Sequence, residues 1–150
     1  MIGMKKSIII SMLVLVSMAF TGCVNNTPDC RFHKKTIDLI CDQNEWSYDA
    51  SANMFFCHFT VDMLTAEVYN YGEVSVSREY NSGTNKAYQV ALPETSYKVE
   101  QDGENKFYYA QLVDYAYGVG FIEVFYTISD YFYPEGFTPE GMVFRAQLTY

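Results

Sequence analysis

The chain has 150 residues, with 18 acidic and 10 basic side chains and a formal charge of −8. That length supplies one domain with a real core. The acidic balance argues against nucleic acid and anionic lipid as partners, because both would repel it. The acids are scattered along the chain, as on a solvated surface.

The chain opens with Lys5 and Lys6, followed by an apolar run from Ile8 to Phe20 broken only by serines. A positive segment before a short apolar core is the layout of an export signal. The run, about 13 residues, falls short of the roughly 20 that a membrane-spanning helix needs. It stops at Phe20-Thr21-Gly22-Cys23, which resembles a bacterial lipobox. The resemblance implies diacylglycerol on the Cys23 sulfur, cleavage before Cys23 and acylation of the new amino terminus. Two or three acyl chains anchor stably where one is marginal. Residues 1–22 are therefore expected as a lipoprotein signal peptide, 23–35 as a lipidated tether and 36–150 as the folded domain. Removing residues 1–22 takes both lysines and no acid, so the mature charge becomes −10. Val24 stands where an aspartate retains lipoproteins in the inner membrane, so the outer membrane of a Gram-negative cell is the expected address.

Beyond the polar tether "VNNTPDCRFHKK" the periodicity is that of strands. In "TIDLICD", Ile37, Leu39 and Cys41 share one face. In "MFFCHFTV", Phe55, Cys57, Phe59 and Val61 do the same. "DMLTAEVYNYG" reads as a helical turn, with Leu64 and Val68 four apart and Gly72 as its stop. "EVSVSREY" alternates Val74, Val76, Arg78 and Tyr80 against mostly polar residues, and "AYQVAL" alternates Tyr88, Val90 and Leu92. "SYKVE" and "KFYYAQLVDYAY" flank "QDGEN" as a hairpin with Asp102-Gly103 as its turn signal. "GFIEVFYTIS" is apolar enough to be covered on both faces, and "MVFRAQLTY" closes the chain. About eight strands with Gly- and Pro-marked turns predict an all-β fold, a single antiparallel β-sandwich.

If Cys23 carries lipid, Cys30, Cys41 and Cys57 remain in an oxidising compartment, where two can bridge and one is left over. Cys30-x-x-His33 and Cys57-His58 raise zinc, but the tight ligand pairing of structural zinc is missing, so no metal is assigned. Cys41 and Cys57 are the disulfide candidates. Both sit on apolar strand faces, and a hairpin turning near Asp49 would set them opposite one another.

Catalytic motifs do not emerge. There is no G-x-S-x-G elbow and no H-E-x-x-H, and the two histidines, His33 and His58, lie in the tether and within a strand. Glu73, Asp114 and Glu123 cannot be paired from sequence as glycosidase carboxylates. No catalytic residue and no cofactor is assigned. Aromatic content does stand out: from Tyr97 onward there are nine tyrosines and six phenylalanines. Strands favour aromatics by propensity, yet tyrosine also serves binding surfaces, because its ring packs while its hydroxyl stays wet. Phe107, Tyr109, Gln111, Val113, Tyr115 and Tyr117 share one strand parity. Either that parity packs in the core, or Tyr109, Tyr115 and Tyr117 form an outward stacking row and are the candidate ligand-binding residues.

Trp46, "MFFCHFTVDMLTAEVYNYGEVSVSRE", "ALPE", "FIEVFYTISD" and "MVFRAQL" together resemble the small cell-envelope lipoproteins of the Bacteroides type, a family of unknown function. The likeness covers about Thr36 to Tyr150. Its most specific part is the aromatic-rich strand, Leu64-Thr65, Val68, Gly72 and Val74-x-Val76 in order. Asp62-Met63 departs from the proline often found there, and a Gly-rich stalk is absent. The resemblance implies a β-sandwich-like domain on the cell envelope and no particular activity. The expected function is a ligand-binding module for a glycan or an envelope protein, attached to the membrane by its lipid. The alternatives are a hydrolase of envelope or dietary polymer and an assembly subunit of an outer-membrane complex.

Overall fold

The computed structural model describes residues 33–129, 133 and 135–150. The expected signal peptide, Cys23, Cys30 and the tether up to residue 32 lie outside these residues. Among the described residues nine strands form two antiparallel sheets, an all-β sandwich. The strands are β1 Lys34–Cys41, β2 Ser47–Asp49, β3 Met54–Thr60, β4 Glu73–Tyr80, β5 Tyr88–Ala91, β6 Glu94–Asp102, β7 Asn105–Gly118, β8 Phe121–Ile128 and β9 Met142–Thr149. One sheet runs β1-β9-β4-β5 and the other β2-β3-β8-β7-β6. Among the described residues one α-helix, α1 Ala66–Tyr71, links β3 and β4.

Period-two alternation builds the core. Along β9 the buried residues Met142, Phe144, Ala146 and Leu148 alternate with half-buried neighbours, and Ile122, Val124, Tyr126 and Ile128 do so along β8. These residues meet Leu39, Phe55, Val74, Val76 and Val113 in one apolar cluster between the sheets. "GFIEVFYTIS" is thus fully buried on one face only. Thr65 caps α1, its hydroxyl accepting from the Val68 N–H, and Gly72 ends it, as its position in the sequence predicts. At Gly72 a Cβ would lie 2.7 Å from the carbonyls of Thr149 and Val68, so the close approach of backbone requires glycine. The β6–β7 connection is a two-residue turn at Gly103-Glu104, with Gly103 at φ +60°.

Three expectations are corrected. First, β1 starts at Lys34, which pairs with Thr149, so Lys34 and Lys35 belong to the sheet and not to the tether. Second, β2 is an additional strand whose three residues are too few to show alternation. Third, Cys41 and Cys57 are joined by a disulfide with Cα atoms 6.4 Å apart, but no hairpin places them. Cys41 pairs with Met142 in one sheet and Cys57 with Val124 in the other, so the bond crosses the core. A short 3-10 turn, Gln43–Glu45, carries the chain between sheets and breaks the register that the hairpin would need. The hairpin near Asp49 exists, but it pairs β2 with β3. The Asp49 carboxylate holds its turn by accepting from Ser51 N–H, Ser51 hydroxyl and Ala52 N–H, which lowers its pKa.

Candidate functional site

On the inward faces of β6, β7 and β8, toward one end of the gap between the sheets, polar residues replace the apolar core. A hollow of about 300 Å3 opens there. Lys98, Tyr109, Gln111 and Tyr126 line it from the three strands, and Phe137 and Glu140 from the segment before β9. Gln111 is only 4% exposed, yet its Nε2 has no protein partner. An unpaired buried polar group costs about 1–3 kcal/mol, which a ligand hydroxyl or carbonyl at that donor would remove.

Glu140 is held from within the sandwich. Arg78 of β4, 5% exposed, donates from Nη2 to Glu140 Oε1 at 2.9 Å. Trp46 donates from Nε1 to the Glu140 carbonyl at 3.1 Å. The Arg78 guanidinium lies 4.4 Å over the Tyr80 ring, and Tyr80 donates its hydroxyl hydrogen to Glu94 in a short bond. Arg78 Nη1 and Glu94 Oε2 are also buried without protein partners. Burial first, and then the bond to Glu94, push the Tyr80 phenol up to about 12. Burial also raises Tyr126, with Tyr109 and Tyr133 adding. Phenols so placed stay protonated and serve as neutral hydrogen-bonding groups.

A second hollow of about 440 Å3 adjoins the first and shares Phe137 and Thr138 with it. Its walls are aromatic: Trp46, Tyr48, Phe55 and Tyr133. Phe137 stacks on Tyr133 at 5.4 Å and meets Tyr126 of the polar hollow at 5.9 Å, so its ring stands between the two.

The tyrosine row expected from sequence lies on the inward parity. Tyr109 and Tyr115 are half-buried against the core, and the Tyr115 hydroxyl donates across the sandwich to the Val74 carbonyl at 3.1 Å. Tyr117 stacks on Tyr115 near the end of the strand and meets Tyr69 of α1. The three do not form one continuous row: Tyr109 lines the polar hollow, whereas Tyr115, which also bonds Val74 across the sandwich, and Tyr117 line a separate open hollow with Tyr69 and Asn70. Sequence reasoning missed Gln111, Arg78, Lys98 and Glu140 as site residues. The available signal was polarity at core parity, Arg78 after Val74 and Val76 and Gln111 between Tyr109 and Val113.

The other weighed groups lie apart. Cys57 points inward and His58 outward, where His58 contacts Glu123 at 2.9 Å and stacks on Phe121, so they cannot share a metal. His33 pairs with Tyr150 at the start of β1. Glu45 sits beside the disulfide, but sulfurs bonded to each other offer no thiolate to a metal. Glu73 is in the first sheet, Asp114 and Glu123 are in the second, and Asp114 accepts from the Tyr115 N–H. Comparison with protein-family models, curated proteins and solved structures finds no match to this chain.

Proposed function

We propose that this protein is a lipid-anchored, ligand-binding β-sandwich of the bacterial cell envelope, held at the outer membrane by acyl chains on Cys23 and acting by binding rather than catalysis. The observation that carries the binding reading is Gln111, a buried amide whose donor is unpaired at the wall of a polar and aromatic hollow. The export-signal layout, the lipobox resemblance and the likeness to Bacteroides-type envelope lipoproteins support the address. The hydrolase alternative is disfavoured: Glu73 lies in the other sheet from Asp114 and Glu123, and those two sit on the outward face of β7 and β8, outside the lining of both hollows, with Glu123 bonded to His58.

Two measurements test the proposal. Labelled palmitate is expected to enter the wild-type chain but not Cys23→Ser, which should leave the membrane fraction. Envelope glycans and envelope-protein peptides are then titrated against the full chain in detergent micelles, read by Trp46, the only tryptophan. A saturable change that Gln111→Leu weakens at least tenfold supports binding at this hollow. No saturable ligand in either library would sink the binding reading.

An assembly role draws on a different feature. The edge strand β6 exposes Tyr97 and Val99, and the adjacent Tyr108 of β7 is exposed too, a surface to which a partner strand can add. Val99→Pro is expected to abolish such pairing in chemical crosslinking while leaving ligand titrations unchanged.

A further inference from the structure

We infer that the two adjoining hollows form one continuous site for a neutral oligosaccharide, one sugar ring on the Gln111 side of Phe137 and the next on its aromatic side. This inference rests on the binding reading and specifies its ligand. Three observations carry it.

The hollows share Phe137 and Thr138, so an extended ligand passes from one to the other without leaving the surface. Their linings are complementary in the way that successive units of a glycan are. Gln111, Lys98 and Glu140 supply amide, ammonium and carboxylate groups for hydroxyls. Tyr48 and Tyr133, backed by the buried Phe55, supply ring faces and edges against which the apolar C–H face of a sugar packs. A purely apolar chain would leave the Gln111 donor buried and unpaired, and a short anion would leave the aromatic hollow unused.

The charge balance selects neutrality. Arg78 and Lys98 are matched by Glu140, which keeps one oxygen free of Arg78, and by Glu94, bonded to the Tyr80 that lies under the Arg78 guanidinium, so the polar hollow carries no net charge. The rest of the chain is acidic and repels polyanionic glycans.

Trp46 reports on both sides. It walls the aromatic hollow, and its indole N–H holds the Glu140 backbone beside the polar one. The test therefore titrates the full chain in detergent micelles, following Trp46 emission, with glucose, N-acetylglucosamine and galacturonic acid and with their β-1,4- or α-1,4-linked tetramers. A neutral tetramer is expected to bind at least tenfold more tightly than its monomer. Tyr48→Ala removes a half-exposed ring together with its bond to Asn53 and its contacts with Phe55 and Tyr133. The variant should therefore fall modestly in melting temperature while staying folded at the temperature of the titration. It should erase the advantage of the tetramer while preserving monomer affinity. Gln111→Leu should weaken both. Equal affinities for monomer and tetramer would overturn the spanning site but leave binding intact. Tighter binding of tetragalacturonate would overturn neutrality. Binding of envelope peptides and of no saccharide would overturn the glycan assignment alone, whereas silence from every probe would remove the binding reading with it.

Discussion

Arg78 is buried with one arm of its guanidinium on Glu140 and the other without a protein partner, an arrangement that contributes little net stability. Desolvating a cation is costly, and the Glu140 carboxylate that compensates it is itself 69% exposed. Arg78→Met keeps the stem packing, removes the buried charge and leaves Glu140 able to take water. Its unfolding free energy should stay within about 1 kcal/mol of wild type or rise. Denaturant titration checks this; a loss above about 3 kcal/mol would show that the arginine is a stabilising element after all. Tyr80, beneath that guanidinium, governs the alkaline limit. Its phenol ionises near 10.0 when unfolded and near 12 when folded, so the fold favours the protonated form. The stabilisation is complete below pH 10 and is lost as pH climbs from 10 to about 12. Tyr126 and Tyr115 are raised too, chiefly by burial, and steepen the decline. Tyr80→Phe should make the fall in stability over that window shallower, as measured by urea melts at successive pH values. An unchanged slope would place the titration elsewhere.

The disulfide ties one element of each sheet, β1 to β3, over a sequence separation of 16 residues. In the chain-entropy account a loop of that length is worth about 3 kcal/mol. Cys41→Ala/Cys57→Ala should lose about that much, with small cavity costs added because both sites are buried. Guanidinium titration of the pair against wild type gives the value directly. A loss below about 1 kcal/mol would mean that the apolar packing between the two sheets already fixes them without the bond. The elements themselves were mostly legible, because β1, β3, β4 and β9 each bury one parity and so print period two into the sequence. What stayed hidden was which sheet each strand joins. Cys41 and Cys57 were readable as core cysteines, but a three-residue 3-10 turn decides that they face each other across the core and not along a hairpin. The candidate site was hidden for a similar reason: Lys98 and Gln111 share one hairpin, but Glu140 is distant in sequence and joins them only once both sheets and the 137–140 segment are in place.

At the scale of the whole molecule, stability is unevenly distributed, and β7 shows where it divides. Over Gln111–Gly118 the strand pairs with β6 or β8 and faces the core, whereas Asn105–Ala110 ladders only with β6. Ser129 adds a tie at Ala110, but beyond it the β6–β7 ribbon projects as two strands, with Tyr97 85% and Tyr108 73% exposed. A two-stranded ribbon is marginal without a packed face. Its amides should therefore exchange with solvent hydrogen through local opening, while Val113, Val124 and Phe144 exchange only when the whole domain unfolds. Reducing the disulfide separates the two modes, because it changes global stability and touches nothing in the ribbon. A loss of about 3 kcal/mol should speed the core amides on the order of a hundredfold. The amides of Val99 and Tyr108 should keep their rates. Hydrogen exchange followed by mass spectrometry, with and without reductant, reads both segments in one experiment. If the ribbon amides accelerate in step with the core, the ribbon is part of the same cooperative unit, and packing of Tyr109 and Gln111 must reach further along the hairpin than the burial of its outer residues implies.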